Sequence, residues 1–240
     1  MERRPGRKMG IWAVALLVMG VILTGGPLAY LFSTFTPVKQ GSESMLPAVP
    51  VGTMLLMQKD PGPLRHGDVI SYDPSDWGLD GPFLGRVVAL SGDHIAWATG
   101  DRTLTLNGKP LEEPYLEGGD AGAGGVPFAV SVPEGRMFVL GDNRGNSADS
   151  RFHPDYRAGT LPVSAVMGVD SGLSEESPLI GALGLVSTSG VGLLALSLGL
   201  GIAWLVARRR KPVEVAYPVW GATRVDDPQQ ETQPEPQPQP

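Results

Sequence analysis

Ser42 and Ser44, in the run Gly41-Ser42-Glu43-Ser44-Met45-Leu46-Pro47, put two hydroxyls capable of nucleophilic chemistry two residues apart, just after an apolar span. A serine hydroxyl is a weak nucleophile. It needs a base to take its proton and donors to meet the charge that develops on an attacked carbonyl. A second polar run, Gly141-Asp142-Asn143-Arg144-Gly145-Asn146-Ser147-Ala148-Asp149-Ser150-Arg151, offers two more serines among four charges. By residue type alone, the first run also reads as a turn before a strand and the second as a structural ion-pair network. Cysteine is absent, so a thiol nucleophile, a disulfide framework and a Cys-based zinc site are excluded. His66, His94 and His153 are scattered, and neither a metal nor any other cofactor is expected.

Apolar segments flank the polar runs. Residues 10–32 carry no charge, a length sufficient to cross about 30 Å of hydrocarbon. Arg3, Arg4, Arg7 and Lys8 precede them and only Lys39 follows closely, which predicts a cytoplasmic N-terminus at residues 1–9. A cleaved leader fits less well, because no small-x-small site follows the span. A second uncharged run, residues 178–207, ends on Arg208-Arg209-Arg210-Lys211 and reads as another spanning helix with its basic end inside. Gly190 and Gly192 are compatible with a membrane helix, or with a loop dividing shorter segments. Residues 33–177 are then extracytoplasmic, which makes a two-pass protein of the plasma membrane in contact with lipid. Residues 208–240 form a basic stop and a Pro/Gln-rich tail that cannot bury a core. The net charge of −6 gives no reason to expect nucleic acid, and oligomeric state is not legible.

With 33 Gly and 23 Pro, the middle of the chain suits a loop-rich β domain. Strand-like runs cover residues 51–58, 68–72, 86–90, 94–97, 103–106, 128–132, 137–140 and 165–169. Asn107-Gly108 signals a type I′ hairpin. Residues 118–125, rich in glycine, read as an exposed loop. Strands do not alternate with helices, so the expected fold is mainly β, antiparallel and partly barrel-like, flanked by two transmembrane helices.

Together, Ser42-Glu43-Ser44-Met45-Leu46-Pro47 and the segment from Gly141 to Arg151 resemble the type I signal peptidases, membrane-bound serine peptidases. Gly67-Asp68-Val69-Ile70, the run from Leu106 to Tyr115 and Val132-Pro133-Glu134-Gly135 agree with the same family. The resemblance implies an endopeptidase that removes signal peptides from exported preproteins at the outer membrane face. It implies Ser44 as nucleophile, Ser42 as oxyanion-hole donor, and Ser147 as support for a lysine base. Arg86, Asp142, Arg144, Asp149 and Arg151 would hold the site together. One residue departs from the pattern. Gly85, before Arg86-Val87-Val88, stands where the family's lysine belongs, and no lysine occurs between Lys59 and Lys109. Lys39 reads as lying on the wrong segment and Lys109 as a solvated turn residue. Glycine there predicts a hole that water could fill, with Gly85 lying beside Ser44 and Ser147. Three readings stay open: an active peptidase with another base, a pseudopeptidase that binds exported peptides or assists assembly, and a purely structural or ligand-binding membrane protein.

Overall fold

A helix that is apolar all round gains nothing from facing water, and the two longest helices are of that kind. The computed structural model describes residues 7–60, 62–116, 119–123, 125–173 and 177–209. Helices α1 (Arg7–Thr34) and α2 (Pro178–Arg209) are each long and apolar enough to cross a membrane. Helix α1 continues through Pro27, and α2 starts with a proline, where a missing N–H costs nothing. Arg3, Arg4, Arg210, Lys211, the Pro/Gln-rich tail and part of the glycine-rich loop lie outside the described residues.

The two helices run antiparallel in close contact. Ser197 donates to the Ala13 carbonyl at 2.7 Å, and a Cβ at Gly190 would strike the Thr24 hydroxyl and come within 2.6 Å of the Thr24 backbone nitrogen. Small residues thus bring the backbones together, as in membrane helix pairs, and Gly190 lies inside one continuous helix rather than in a loop. Gly192 faces open space. Gly190→Leu is therefore expected to destabilise the solubilised protein by about 1–3 kcal/mol through overpacking. Thermal unfolding in detergent should show a lowered Tm, whereas Gly192→Leu should leave Tm within error.

Between the helices, β1 (Phe35–Lys39), β2 (Met54–Gln58), β3 (Val69–Tyr72), β4 (Phe83–Leu90), β9 (Arg136–Leu140), β10 (Leu161–Pro162) and β11 (Val166–Asp170) form a seven-stranded sheet in the order β1-β2-β11-β3-β4-β9-β10. Strands β5 (His94–Trp97), β6 (Thr105–Leu106), β7 (Lys109–Pro110) and β8 (Phe128–Ser131) make a second sheet ordered β7-β6-β5-β8. All pairings are antiparallel, as the sequence predicts. Asn107 and Gly108 take φ of 53° and 76°, the two left-handed positions of a type I′ turn.

Strands β4 and β9 are covered on both faces. Val87, Met137 and Val139 join one apolar cluster with Ile70 and Tyr72, while Val88, Ala89, Phe138 and Leu140 join another beneath the second sheet. A register shift between Val87 and Ala89 lets the consecutive residues Val88 and Ala89 face the same core, where a regular strand would turn them to opposite sides. A third cluster of Met45, Val49, Met57 and Leu84 lies under the serine loop. Several strands differ from expectation: β4 begins at Phe83 rather than Arg86, and the short β7 and β10 were not foreseen. Strand β2 starts at Met54 because Gly52, at φ 91°, turns the chain before it, and only Thr105–Leu106 of the 103–106 run pairs. Strand β1 has no sequence counterpart: Pro37 interrupts the pattern but is tolerated on an edge strand.

Candidate active site

Met45 fixes the serine loop. Its side chain is fully buried in the third cluster, and the Val49 N–H closes a turn onto the Met45 carbonyl at 2.8 Å. Ser44, one residue before, stays at the surface with its hydroxyl 3.0 Å from that of Ser42. The Ser44 N–H points to the Ser42 hydroxyl at 3.4 Å, so the two expected oxyanion donors face each other. Substrate binding must turn them outward, a tightening common to unliganded sites.

Gly141 explains how the second segment reaches the first. A Cβ there would strike the Ser147 hydroxyl and sit 2.6 Å from the Ser44 carbonyl, so only glycine permits the approach. The Asn143 N–H donates to that Ser44 carbonyl at 2.9 Å, and the Asn143 amide to the Glu43 carbonyl at 3.1 Å. The Asn146 amide donates to the Glu43 carboxylate at 3.1 Å. Glu43, Asn143 and Asn146 thus staple the two loops, a role that residue type alone did not reveal. Ser42, Ser44 and Ser147 all line one cleft of about 410 Å³, with Val38, Lys39, Gln40, Gly41, Pro82, Phe83, Leu84, Asn146 and Ala148.

The charged residues act from behind. Arg86 grips Asp142 with two bonds of 2.8 and 2.6 Å and donates to the Gly67 carbonyl. Burial would push its guanidinium down, but the Asp142 bonds outweigh that and hold it above its ordinary value. Asp149 accepts from Arg151 at 2.8 and 2.7 Å and from the Gly141 N–H at 3.1 Å. Arg144 pairs instead with Glu113, which also accepts from the Tyr115 hydroxyl at 2.8 Å. Glu113 and Tyr115 stand out in the sequence only as part of the run from Leu106 to Tyr115, with no role assigned to either.

Two expectations need correction. The space beyond Gly85 is not a hole. A Cβ there would lie 2.5 Å from Val139 Cγ1 and 3.0 Å from Tyr72 Cε1, because the missing side chain lets these neighbours close together. Lys39, expected on the wrong segment, instead lines the cleft with Ser42 and Ser44. The histidines stay elsewhere. His153 stacks on Trp77 at 4.4 Å and is pushed down by burial, while His94 pairs with Ser131 at 3.2 Å. Among the described residues the Ser44 hydroxyl has one hydrogen-bond partner, Ser42, and no group of three or more possible metal ligands occurs.

Both cleft walls are open strand edges. Strand β1 ends its sheet, and Phe83 and Leu84 pair with Tyr72 and Ser71 on one side while pairing with β9 begins only at Arg86. An extended peptide can add there through its main chain.

Comparison with known proteins gives the family. The "Probable signal peptidase I" of Mycobacterium leprae (strain TN) is 31% identical over 227 residues, covering 68% of this chain and 76% of its own. The "Signal peptidase I" of Bacillus licheniformis is 34% identical over 161 residues, covering 62% of this chain and 83% of its own. A solved signal peptidase I from Enterococcus faecalis V583 covers 45% of this chain and 97% of its own, at 29% identity and a TM-score of 0.36. The family model for signal peptidase, peptidase S26, matches residues 10–172, from the first helix to the end of the last strand, and the chain belongs to that family.

Proposed function

We propose that this protein is a membrane-bound serine endopeptidase that removes N-terminal signal peptides from exported preproteins, with Ser44 as nucleophile and Ser42 and the Ser44 N–H as oxyanion donors. The observation that carries this is a cleft whose two walls are unpaired strand edges and whose end holds the Ser42–Ser44 pair. Ser147 supports the site, and Arg86, Asp142, Arg144, Asp149 and Arg151 keep its loops in place. The β domain faces outward and both termini are cytoplasmic. In support, Gly10 packs against Trp204, so Lys8 and Arg208 lie at the same end of the helix pair. A reporter fused to the C-terminus and found outside the cell would overturn that orientation.

With Gly85 in place of the lysine, the Ser44 hydroxyl is hydrogen-bonded to Ser42 and, among the described residues, to no base, and the loss of a positioned base costs about 10²–10⁴-fold in rate. The expected enzyme is slow. Purified protein should cleave a preprotein at a small-residue site, and Ser44→Ala should reduce the rate to background. The second reading, a pseudopeptidase that retains peptide binding, is favoured by the closure of Val139 and Tyr72 over Gly85. Equal rates for wild type and Ser44→Ala, with peptide still bound, would establish it. Lys39→Arg separates two sources of the base: the guanidinium cannot accept a proton, so a lost rate assigns the role to Lys39 and an unchanged one to water.

A further inference from the structure

Two buried polar groups near the cleft have no hydrogen-bond partner among the described residues. Gln40 is only 3% exposed and lines the cleft, yet its amide Nε2 is buried without a hydrogen bond. Its backbone is fixed, with its N–H donating to the Thr53 carbonyl at 2.9 Å and its carbonyl accepting from Gly52 at 2.8 Å. Ser71 is 2% exposed, and its hydroxyl is likewise unpaired. It lies directly across the β3–β4 pair from Leu84, and therefore on the face that Leu84 turns to the cleft. The surroundings are apolar: Val38, Met45, Met57 and Leu84. A leucine or methionine would fill the place of Gln40 without the desolvation penalty of an unpaired amide.

We infer that Gln40, with Ser71 on the face that Leu84 turns to the same cleft, forms a polar subsite that selects a small hydroxyl-bearing side chain on the bound peptide, serine or threonine. The position is the residue two before the one contributing the scissile carbonyl. This rests on the endopeptidase reading. Alternate side chains of an extended peptide share a face. The residue at Ser44 and the one two earlier therefore both point to the wall that Gln40 and Leu84 form. An amide offers a donor and an acceptor, and a hydroxyl answers both. A charged side chain would be desolvated against Val38 and Leu84, and an aliphatic one would leave the amide unpaired.

The test uses the full-length protein in detergent and preproteins differing only at that residue, serine against valine. Wild type should prefer serine by at least about tenfold in kcat/KM, since sites built to hydrogen-bond a hydroxyl reject its apolar isostere strongly. Gln40→Leu should abolish or invert that preference, and Gln40→Met, a second apolar replacement, guards against a variant that merely misfolds. Ser71→Ala should reduce the preference in part. A serine-to-valine ratio identical in wild type and both Gln40 variants would overturn the subsite and leave the endopeptidase standing. Should wild type cleave neither substrate, the peptidase reading fails. Equilibrium binding of the same two peptides to wild type and Gln40→Leu then decides the subsite on its own, by the same order of preference.

Discussion

Gly85→Lys combined with Val139→Ala is expected to raise peptidase activity by about 10²–10⁴-fold over wild type, the range a positioned general base contributes. Gly85→Lys alone should do much less. Its Cβ would sit 2.5 Å from Val139 Cγ1, and relieving that clash costs about 1–3 kcal/mol and pushes the stem off its path. Trimming Val139 removes the obstruction. The next step of the β4–β9 register beyond Arg86–Leu140 sets Gly85 opposite Gly141, which touches both Ser147 and Ser44. A lysine stem of about 6 Å spans such a gap. A partly buried amine is pushed down, so the rate of the double variant should climb with pH as the neutral form accumulates. The folded variant would bind fewer protons than its unfolded chain, and its stability should fall as pH is lowered. A wild type that cleaves well and a double variant that does not would show the site rebuilt around another base.

Glu113→Ala should cost about 3–5 kcal/mol of stability, because it leaves the Arg144 guanidinium buried without its counter-charge. The two side chains are 3% and 1% exposed, so water cannot take the place of the carboxylate. Tyr115 loses its hydroxyl partner at the same time; its ring lies 3.9 Å from the Arg86 guanidinium. The damage should reach Arg86 and Asp142, and with them the loop that carries Ser147. Adding Arg144→Met should recover part of the loss, since two neutral groups in place of a buried pair are tolerated better than one stranded charge. Chemical denaturation measures both, and a loss below about 1 kcal/mol for Glu113→Ala would refute the assignment.

Much of this architecture was legible in the sequence, for physical reasons that also mark where legibility stops. Each apolar helix declares itself through uncharged length, and the buried strands through apolar runs between glycine turns. That Arg86 braces the loop from Gly141 to Arg151 followed from resemblance, and the fold supplies its partner there, Asp142. Glu113 did not, because Glu112 and Glu113 are equivalent on paper, and only the fold decides which one meets a guanidinium 31 residues away. Gly85 could be identified as a lysine position, but the identity of its neighbours depends on the register of β3 and β9, which no local pattern encodes. Lys39, five residues before Ser44, was set aside for its place beside the apolar span, yet the turn of the chain between them leaves both in one cleft. Gln40 reads as an ordinary polar residue until its burial is known.

Helix α1 gives way to β1 with no residue between Thr34 and Phe35, and Lys59 clamps the junction, its N–H bonding the Thr34 carbonyl at 3.0 Å and its ammonium the Phe32 carbonyl at 2.6 Å. The joint is stiff. A five-residue strand advances about 17 Å, so the cleft wall begins at nearly fixed height above the end of the helix. If α1 spans the bilayer, the protein acts as a molecular ruler, reading the distance from a membrane surface to a peptide bond. Lengthening that joint by a few residues would shift the measured distance, and with it the choice of bond, without altering any group that touches the substrate.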